Sequence, residues 1–271
     1  MVSRSTLTAV RLGAGDEPAV ARLLDREPVQ NAYLRSELRL GMQFGDWWGA
    51  LRPDGPCAVM LGGSLVVPWI PDPADAAGLA EPISARPPRM LVGPRDSVMA
   101  LHGIGRRRAR DIREPQVLFA LGRGDLRIAP SAPLHRAKRA DLPALVEAAA
   151  AMHREEMGVD PLSIDASGWR ARMLALIERG WAWVWTEEGE VVFKAELSAW
   201  TREAVQIQGV YTAPHRRRCG LATAGLASIC DVLLRDTVAC SLYANNYNHA
   251  AIALYRRLGF QPSGSFATVI Y

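Results

Sequence analysis

The sequence is poor in lysine and cysteine and has no long hydrophobic run. Lys138 and Lys194 are the only lysines, and all other members of the 32 basic residues are arginine, a bias typical of a GC-rich genome. None of the four cysteines belongs to a Cys-x-x-Cys pair or has a histidine at metal-ligand spacing. We therefore expect reduced thiols, with no metal site and no disulfide framework.

The lack of a long apolar run also bears on location. No stretch approaches the roughly 20 apolar residues that are needed to cross a bilayer. The first residues do not resemble a secretory signal peptide, because polar residues and glycines interrupt their apolar stretch. We therefore expect a cytoplasmic protein without a membrane partner.

The composition is that of a soluble globular protein. The 271 residues are 49% hydrophobic and 22% charged, enough to bury the cores of two ordinary domains or of one large domain. The net charge of +4 is mild; it suits an anionic ligand such as a nucleotide and does not indicate nucleic acid. We interpret the arginine run Arg106–Arg110 as a solvated helix end or loop.

A segment rich in Gly, Pro and Ser, from Gly122 to Pro133, is the best candidate for a domain boundary. The same opening pattern occurs on each side of it, with an arginine, an aspartate and a proline at identical offsets. These residues are Arg11, Asp16 and Pro18 in the first copy and Arg136, Asp141 and Pro143 in the second. Each copy predicts a strand and then a helix with Asp at its N-cap and Pro in its first turn. We predict a tandem duplication with domains at residues 1–125 and 133–271.

Hydrophobic periodicity predicts the elements of the second half in the order β-α-α-β-β-β-α-β-α-β-β. The predicted helices are 141–157, a second ending at 180, one beginning near 222, and 248–258. The predicted strands after the opening one are 181–186, 191–199, 204–212 and 239–244, followed by a final hairpin that turns at 262–264 and closes with 266–271.

The first half gives weaker patterns that are compatible with a diverged version of the same unit. The predicted strands are 47–51, 57–61, 89–92 and 116–121, and the predicted helices are 18–24, 31–40 and 94–102.

The turn Arg217–Ala222 carries the first indication of chemistry. It follows a predicted strand and opens a predicted helix, and Gly220 and Ala222 leave its backbone N–H groups unblocked by bulky side chains. Such N–H groups, together with the positive end of the helix dipole, can bind a pyrophosphate, and the arginines can add charge-assisted bonds. The pattern Arg-x-x-Gly-x-Ala is weak alone, and its position between strand and helix strengthens it.

A short helix downstream adds a second feature. Asn248 stands at its predicted N-cap, and Tyr255 lies seven residues later, two turns along the same face. This spacing predicts a phenol close to the point where this helix passes the mouth of the preceding one.

These motifs together resemble the GNAT superfamily of acyl-CoA N-acyltransferases. The matching residues are Val210–Pro214 before Arg217-x-x-Gly220-x-Ala222, then Asn248-x-x-Ala251-x-x-Leu254-Tyr255, and Leu258-Gly259-Phe260. The whole chain resembles a two-domain bacterial subgroup, to which His153–Gly158, Val192–Glu196 and Phe266–Val269 also fit. The sequence departs from the family pattern at Arg218, where Gly is usual, and at Cys219, where a second Arg or similar residue is common.

The resemblance implies a mixed α/β (α+β) fold of two tandem acyltransferase-like domains. Each would be a mostly antiparallel central sheet flanked by helices, and the N-terminal one would be degenerate because it lacks an Arg-x-x-Gly-x-Gly/Ala turn. The donor would be acetyl-CoA, with no metal. Its implied binding residues are Val210, Tyr211, Thr212, Arg217, Arg218, Cys219, Gly220, Leu221, Ala222 and Asn248.

The resemblance also implies catalytic roles. Tyr255 would protonate the departing thiolate, which is reasonable for a phenol of ordinary pKa about 10 and a thiol of pKa about 8.5. The backbone of Val210 and Thr212 would bond the pantetheine and polarise the thioester carbonyl. We take Glu196 as the preferred general base, with Glu155 and Glu156 as alternatives that act through water.

Plainer interpretations stay open beside these. Tyr255 also fits a half-buried helix tyrosine, Glu196 a strand carboxylate paired to an arginine, and Cys219 a small filler. His215 and His249 fit exposed neighbours of the motifs. The tryptophans at 47, 48, 181, 183 and 185 fit core or interdomain packing, and a tryptophan-lined acceptor pocket stays open as an alternative.

Three functions compete at this point. The first is direct transfer of an acetyl or other short acyl group from acetyl-CoA to a primary amine, by a monomer or homodimer without a nucleic-acid partner. The second is a non-catalytic acyl-CoA-binding or sensing module, and the third, more distant, is a nucleic-acid-binding protein. The acidic cluster Glu155, Glu156, Asp160 and Asp165 fits a cationic acceptor as readily as a solvated surface.

Overall fold

The computed structural model describes residues 7–105 and 107–271, so Arg106 of the arginine run and residues 1–6 lie outside the described part. The chain forms two compact units. The first contains the described residues up to Phe119 together with Tyr243–His249 and Pro262–Tyr271. The second contains Ala120–Leu242 and Ala250–Gln261. These units are discontinuous in the chain, whereas the bounds 1–125 and 133–271 predicted from the linker follow chain order and stay a prediction.

The first part of the chain contains six strands and four helices among its described residues, besides short 3-10 turns. They are β1 (Ala9–Arg11), α1 (Glu17–Leu24), α2 (Ala32–Leu38), β2 (Asp46–Arg52), β3 (Gly55–Gly62), β4 (Leu65–Trp69), α3 (Ala80–Ala85), β5 (Met90–Pro94), α4 (Arg95–Ile104) and β6 (Asp111–Gly122). The seven elements predicted here are confirmed within a few residues. The opening strand β1 was predicted without bounds, and β4 and α3 were not predicted.

The second part of the chain closely follows its prediction. Its elements are β7 (His135–Arg136), α5 (Leu142–Met157), α6 (Pro161–Glu178), β8 (Ala182–Glu187), β9 (Glu190–Trp200), β10 (Ala204–Thr212), α7 (Leu221–Leu233), β11 (Ala239–Asn245), α8 (His249–Leu258) and β12 (Gln261–Ile270). The predicted final hairpin is wrong, because β12 runs as one strand through Pro262 and Gly264. The first four residues of β12 are exposed, and an exposed strand end tolerates Pro and Gly.

The second unit is built on the strand order β7-β8-β9-β10-β11. Its pairs are antiparallel except β10 and β11, which are parallel and joined through α7. Both α5 and α7 pack against β9 and β10. Apolar residues of α5 and α6, including Leu145 and Met173, form a core with Val184 and Tyr211 of the sheet.

The first unit repeats this plan with the order β1-β2-β3-β4-β5-β12. The pair β4 and β5 is parallel, and the pairs β1–β2, β2–β3, β3–β4 and β5–β12 are antiparallel. One core lies around Leu79, Leu91 and Val98, and another around Leu24 and Trp47. The fold is therefore mixed α/β, with mostly antiparallel sheets flanked by helices.

The opening of both units has the same local geometry. A 3-10 turn separates the first strand from the first helix, and Asp16 and Asp141 occupy its last position. Neither aspartate caps its helix with its side chain, so the predicted capping role is wrong. Each carboxylate instead accepts a hydrogen bond from the backbone N–H three residues earlier, at 2.9 Å from Gly13 and 2.8 Å from Lys138.

Among the described residues, no helix combines the length and apolar character that a membrane crossing requires. In the same part of the chain, no three His, Cys, Asp or Glu side chains are grouped in a way that could hold a metal ion. All four cysteines are free thiols.

Candidate acyl-CoA site

A bulge in β10 lies at the centre of the candidate site. Gln208 is opposite Glu196 on β9, and Tyr211 is opposite Lys194, so Gly209 and Val210 together face the single residue Ala195. Gly209 has φ +60°, the left-handed conformation that glycine adopts at the first position of this kind of bulge. The extra residue changes the direction in which the rest of β10 presents its backbone.

Beyond the bulge, β10 has an open edge. Its parallel ladder with β11 joins Ala204–Gln206 to residues 239–241 and ends there. On the other edge, the N–H of Ala213 donates to Val192 O at 3.0 Å. Because successive residues of a strand direct their backbone groups to opposite edges, Val210 and Thr212 direct theirs away from β9. The two residues that the sequence analysis assigned to the pantetheine and the thioester therefore have outward-facing backbone groups.

The turn that follows β10 leads directly to the N-terminus of α7. Gly220 occupies the N-cap with φ +81°, and no side chain caps the helix there. The N–H of Ala224 is the first to donate back, to Gly220 O at 3.0 Å. The N–H groups of the three preceding helical residues, 221–223, therefore have no partner in their own helix. A Cβ at position 220 would have nothing within 4 Å, so the mouth of the helix is open.

Two of the three arginines in this turn are held by carboxylates. Arg216 pairs with Glu187. Arg217 Nη2 contacts both carboxylate oxygens of Glu155, at 2.6 and 2.9 Å, and its Nε donates to Thr212 O at 3.1 Å. The Arg217 guanidinium also lies 5.9 Å above the ring centre of Tyr211. Arg217 is thus fixed beside the open end of β10.

Arg218 differs from both of its neighbours. It is exposed, and it forms no ion pair with any residue in the described ranges. Its φ of +63° is left-handed, a conformation that favours glycine. Glycine is also the usual family residue at this position, so the departure noted from the sequence occurs at a strained backbone. Cys219 is exposed and its Sγ lies 3.5 Å from Arg217 O.

The helix α7 approaches the sheet very closely. A Cβ at position 225 would lie 2.4 Å from Cε1 of Phe193, a distance that packed side chains do not reach. Gly225 therefore lets the helix axis come close to β9, while Leu221 is buried at its first turn. This close packing fixes the helix mouth relative to β10.

Tyr255 lies on α8 and is nearly buried, with 6% of its surface exposed. Its ring centre is 5.9 Å from that of Phe260. Burial, together with the negative charge of Glu156, raises the pKa of Tyr255 to about 12. The hydroxyl therefore keeps its proton throughout the physiological pH range. Burial also raises the pKa of Tyr211, and the charge of Glu155 adds to this effect.

Asn248 directly precedes α8 and is grouped with the first compact unit. Its backbone N–H donates to Asn245 O at 2.9 Å. Its assignment to the cofactor arm stays a prediction.

Glu196 is part of a buried ion pair that the sequence analysis did not foresee. Its Oε1 lies 2.5 Å from Nζ of Lys194, and the two residues are 3% and 0% exposed. Lys194 Nζ also donates to Gly209 O at 3.0 Å. To take a proton from an amine, Glu196 would have to give up this bond inside the core. The presence of lysine at only two positions was the signal that could have singled out Lys194.

Three of the four carboxylates in the acidic cluster of residues 155–165 have structural partners. Glu155 pairs with Arg217. Asp160 caps α6 through Leu162 N at 3.0 Å and pairs with Arg154. Asp165 breaks α6 with a non-helical φ and accepts from Gly168 N at 2.8 Å. These contacts explain three of the four carboxylates without a cationic acceptor.

An aromatic group lies in the same region. The rings of His153 and Trp169 are 5.2 Å apart, and Arg172 lies 5.6 Å from the Trp169 ring centre. Burial and the positive charge of Arg172 lower the pKa of His153. Within the described chain, the buried indole Nε1 of Trp169 has no hydrogen-bond partner.

The acetyltransferase (GNAT) family model matches residues 145–260. That range contains the bulge, the turn and Tyr255. Residues 145–260 are thus similar to the GNAT acetyltransferase family. No curated protein matches this sequence.

Solved structures extend the similarity of fold to the whole chain. A GNAT-family acetyltransferase from Colwellia psychrerythraea has a TM-score of 0.62 at 10% identity, covering 97% of this chain and 99% of that chain. A GCN5-related N-acetyltransferase from Sphaerobacter thermophilus has a TM-score of 0.59 at 18% identity, covering 98% and 95%. A tandem GNAT protein from the clavulanic acid biosynthesis pathway has a TM-score of 0.57 at 14% identity, covering 97% and 98%. The chain thus has the fold of two tandem GNAT domains.

Proposed function

We propose that the second unit of this protein transfers an acetyl or other short acyl group from acetyl-CoA to a primary amine. One observation carries the proposal. The open edge of β10 after its bulge leads within a few residues to the uncapped N-terminus of α7. Outward backbone groups for a thioester and unpaired N–H groups for a pyrophosphate therefore occur in the order that an acyl-CoA requires.

The residues present fit the donor. The N–H groups of residues 221–223 would bind the pyrophosphate, assisted by the helix dipole and by the exposed guanidinium of Arg218. The backbone groups of Val210 and Thr212 would hold the pantetheine arm and the carbonyl oxygen of the thioester. Acetyl-CoA supplies an activated acyl group, and this chain supplies its orientation.

Tyr255 would act as the general acid and Glu156 as the general base. The amine nitrogen forms a bond to the thioester carbon, the carbon–sulfur bond breaks, and Tyr255 donates its proton to the thiolate. Glu156 is exposed, and its charge acts on Tyr255. We therefore place Glu156, acting through water, ahead of the buried Glu196 as the acceptor of the amine proton.

We further propose the acceptor, the location and the oligomeric state. The acceptor is a small molecule or peptide that presents a primary amine near α5 and α6, where Trp169 has its unpaired indole N–H. The protein would act in the cytoplasm as a monomer or homodimer, without a nucleic-acid or membrane partner.

The first experiment uses the full chain. Calorimetry with acetyl-CoA should show binding, and a thiol reagent should detect free CoA when a panel of primary amines is added. Binding without thiol release from any amine would favour the sensing module instead. Absence of binding would contradict both functions.

Replacing Tyr255 tests its proposed role as the general acid. The substitution Tyr255→Phe should lower turnover by about 100-fold or more, because general acid catalysis typically contributes 10²–10⁴-fold. Affinity for CoA should stay nearly unchanged, as measured by calorimetry. Tyr271→Phe removes another tyrosine hydroxyl, bonded to His102 at 3.0 Å, and serves as the control with normal turnover. Normal turnover of Tyr255→Phe would remove Tyr255 from the mechanism.

A further inference from the structure

The buried pair of Lys194 and Glu196 has no assigned role in the proposed reaction. A buried ion pair loses the hydration of two charges and often stabilises a fold less than an apolar pair would. The two side chains are 0% and 3% exposed, on adjacent same-face positions of β9. Such a pair in the middle of a strand calls for a reason other than stability.

The location of the pair gives that reason. Lys194 and Glu196 are the residues of β9 that flank the β10 bulge, because they are opposite Tyr211 and Gln208. The Lys194 ammonium bonds the carbonyl oxygen of Gly209, which is one of the two residues that form the bulge. The pair thus contacts the same backbone segment that presents the outward groups of Val210.

The pair also fills the space above the bulge. A Cβ at position 209 would lie 3.0 Å from Cδ and Oε2 of Glu196 and 3.1 Å from Nζ of Lys194. Only glycine combines the left-handed φ of +60° with this close approach. Glu196 in turn holds the ammonium in place at 2.5 Å. Three residues on two strands therefore fix one another.

We infer that Lys194 and Glu196 are positioning residues that hold the Gly209 peptide in the bulge, so that the Val210 N–H faces the thioester carbonyl. This inference rests on the proposed function and replaces the role of base expected for Glu196. Lys194 and Glu196 act through the backbone and touch neither the donor nor the acceptor.

A spectroscopic measurement tests the inference directly. Acetyl-CoA labelled with carbon-13 at its carbonyl is bound to the full chain, and the infrared stretching frequency of that carbonyl is recorded. In the native protein the hydrogen bond from Val210 should shift the band to lower frequency than in free acetyl-CoA. Lys194→Met and Glu196→Gln should each lose most of the shift and about 100-fold in turnover, the loss typical for one oxyanion donor. CoA affinity should change little.

A double variant separates positioning from stability. Lys194→Met with Glu196→Leu replaces both charges by apolar groups, so it should remain folded even where a single variant does not. It should still bind CoA and still lack the carbonyl shift. Glu187→Gln, which disrupts the ion pair to Arg216 away from the bulge, is the matched control and should keep the full shift.

The outcomes are distinct. If Glu196→Gln abolishes turnover but keeps the carbonyl shift, Glu196 is the base and the inference is wrong. If the double variant keeps both shift and turnover, the inference is also wrong. If the native protein does not bind acetyl-CoA at all, the proposed function fails first. Loss of the shift in the double variant with CoA binding intact supports the inference.

Discussion

The two units have the same plan but differ where a strand leads into a helix. In the second unit, β10 is followed by a turn of arginines and glycine, and α7 begins without a cap. In the first unit, β4 is followed by Pro71, Asp72 and Pro73 and by a 3-10 helix, and α3 has only six residues. The first unit replaces positive charge and N–H donors with carboxylates and prolines.

The carboxylates of the first unit also have partners. Asp72 accepts from Ala74 N at 3.0 Å and so caps its own turn. Asp75 is buried and pairs with Arg52 at 2.7 Å. Pro73 has no N–H to offer. A phosphate would meet negative charge here, in contrast to the mouth of α7.

The backbone groups of Ile70, directly after β4, are also hydrogen-bonded within the first unit. Ser97 of α4 is buried, accepts from the N–H of Ile70 at 2.9 Å and donates to Ile70 O at 3.2 Å. The equivalent segment of the second unit, Val210–Thr212, keeps outward-facing groups. Of these groups the Thr212 carbonyl accepts from Arg217 Nε at 3.1 Å. The difference teaches that a binding site on this fold is made where the backbone of the strand is directed outward, and that the first unit instead bonds both backbone groups of Ile70 to Ser97.

Introducing an aspartate into the turn after β10 and into the turn after β4 is the strongest test of the difference between the two units. Ala222→Asp should weaken CoA binding by about tenfold or more, since a new charge beside the pyrophosphate costs on the order of 1.4 kcal/mol. Ala74→Asp, at the exposed turn of the first unit, should leave CoA binding unchanged. Calorimetry on both variants gives the result. Equal effects would contradict the assignment of the donor to the second unit.

Removing the hydroxyl of Ser97 tests how the first unit is closed. Ser97→Ala leaves the buried backbone groups of Ile70 without this partner, and we expect the free energy of unfolding to fall by about 1–3 kcal/mol. Urea denaturation measures it, and CoA affinity should not change. Ser163→Ala, an exposed serine, should change stability by less than about 0.5 kcal/mol. If Ser97→Ala gained affinity for CoA, the first unit would have a CoA site that Ser97 blocks by bonding the backbone of Ile70.

The smallest expected effect concerns the strained arginine of the second unit. Arg218→Gly should raise the free energy of unfolding by about 1 kcal/mol, because a left-handed conformation costs roughly that amount for other residues. Arg218→Ala removes the same charge but keeps most of the strain, so it separates the two effects. Thermal denaturation of both variants is the measurement. If Arg218→Gly were no more stable than Arg218→Ala, the backbone at position 218 would not be strained.

Much of the second unit could be predicted from its sequence. Helical periodicity located α5 and α7, and the position of Gly220 between strand and helix indicated an open helix mouth before any coordinates. Such features depend on neighbouring residues only, which is why a pattern shows them. The similarity of the two openings was also visible, since Arg and Pro stand at the same offsets from Asp16 and from Asp141.

The remaining features were not distinguishable in the sequence pattern. Nothing near Asp141 in the sequence reveals that its carboxylate turns back to Lys138 N instead of capping the helix. The Pro262–Gly264 run has the composition of a turn, yet it lies within β12, whose pairing with β5 covers Phe266–Ile270. The partnership of Lys194 with Gly209 links two strands through a bulge, and bulges leave no regular pattern in a sequence.

The burial of Lys194 also makes its rate of chemical modification a measure of local opening in the second unit. Lys138 is exposed and Lys194 is fully buried, and no other side-chain amine exists in this protein. An amine-reactive reagent should modify Lys138 immediately and Lys194 only when β9 and β10 separate. The rate at which mass spectrometry detects modification of Lys194 therefore reports how often the core beneath the bulge opens, and a bound donor should slow it.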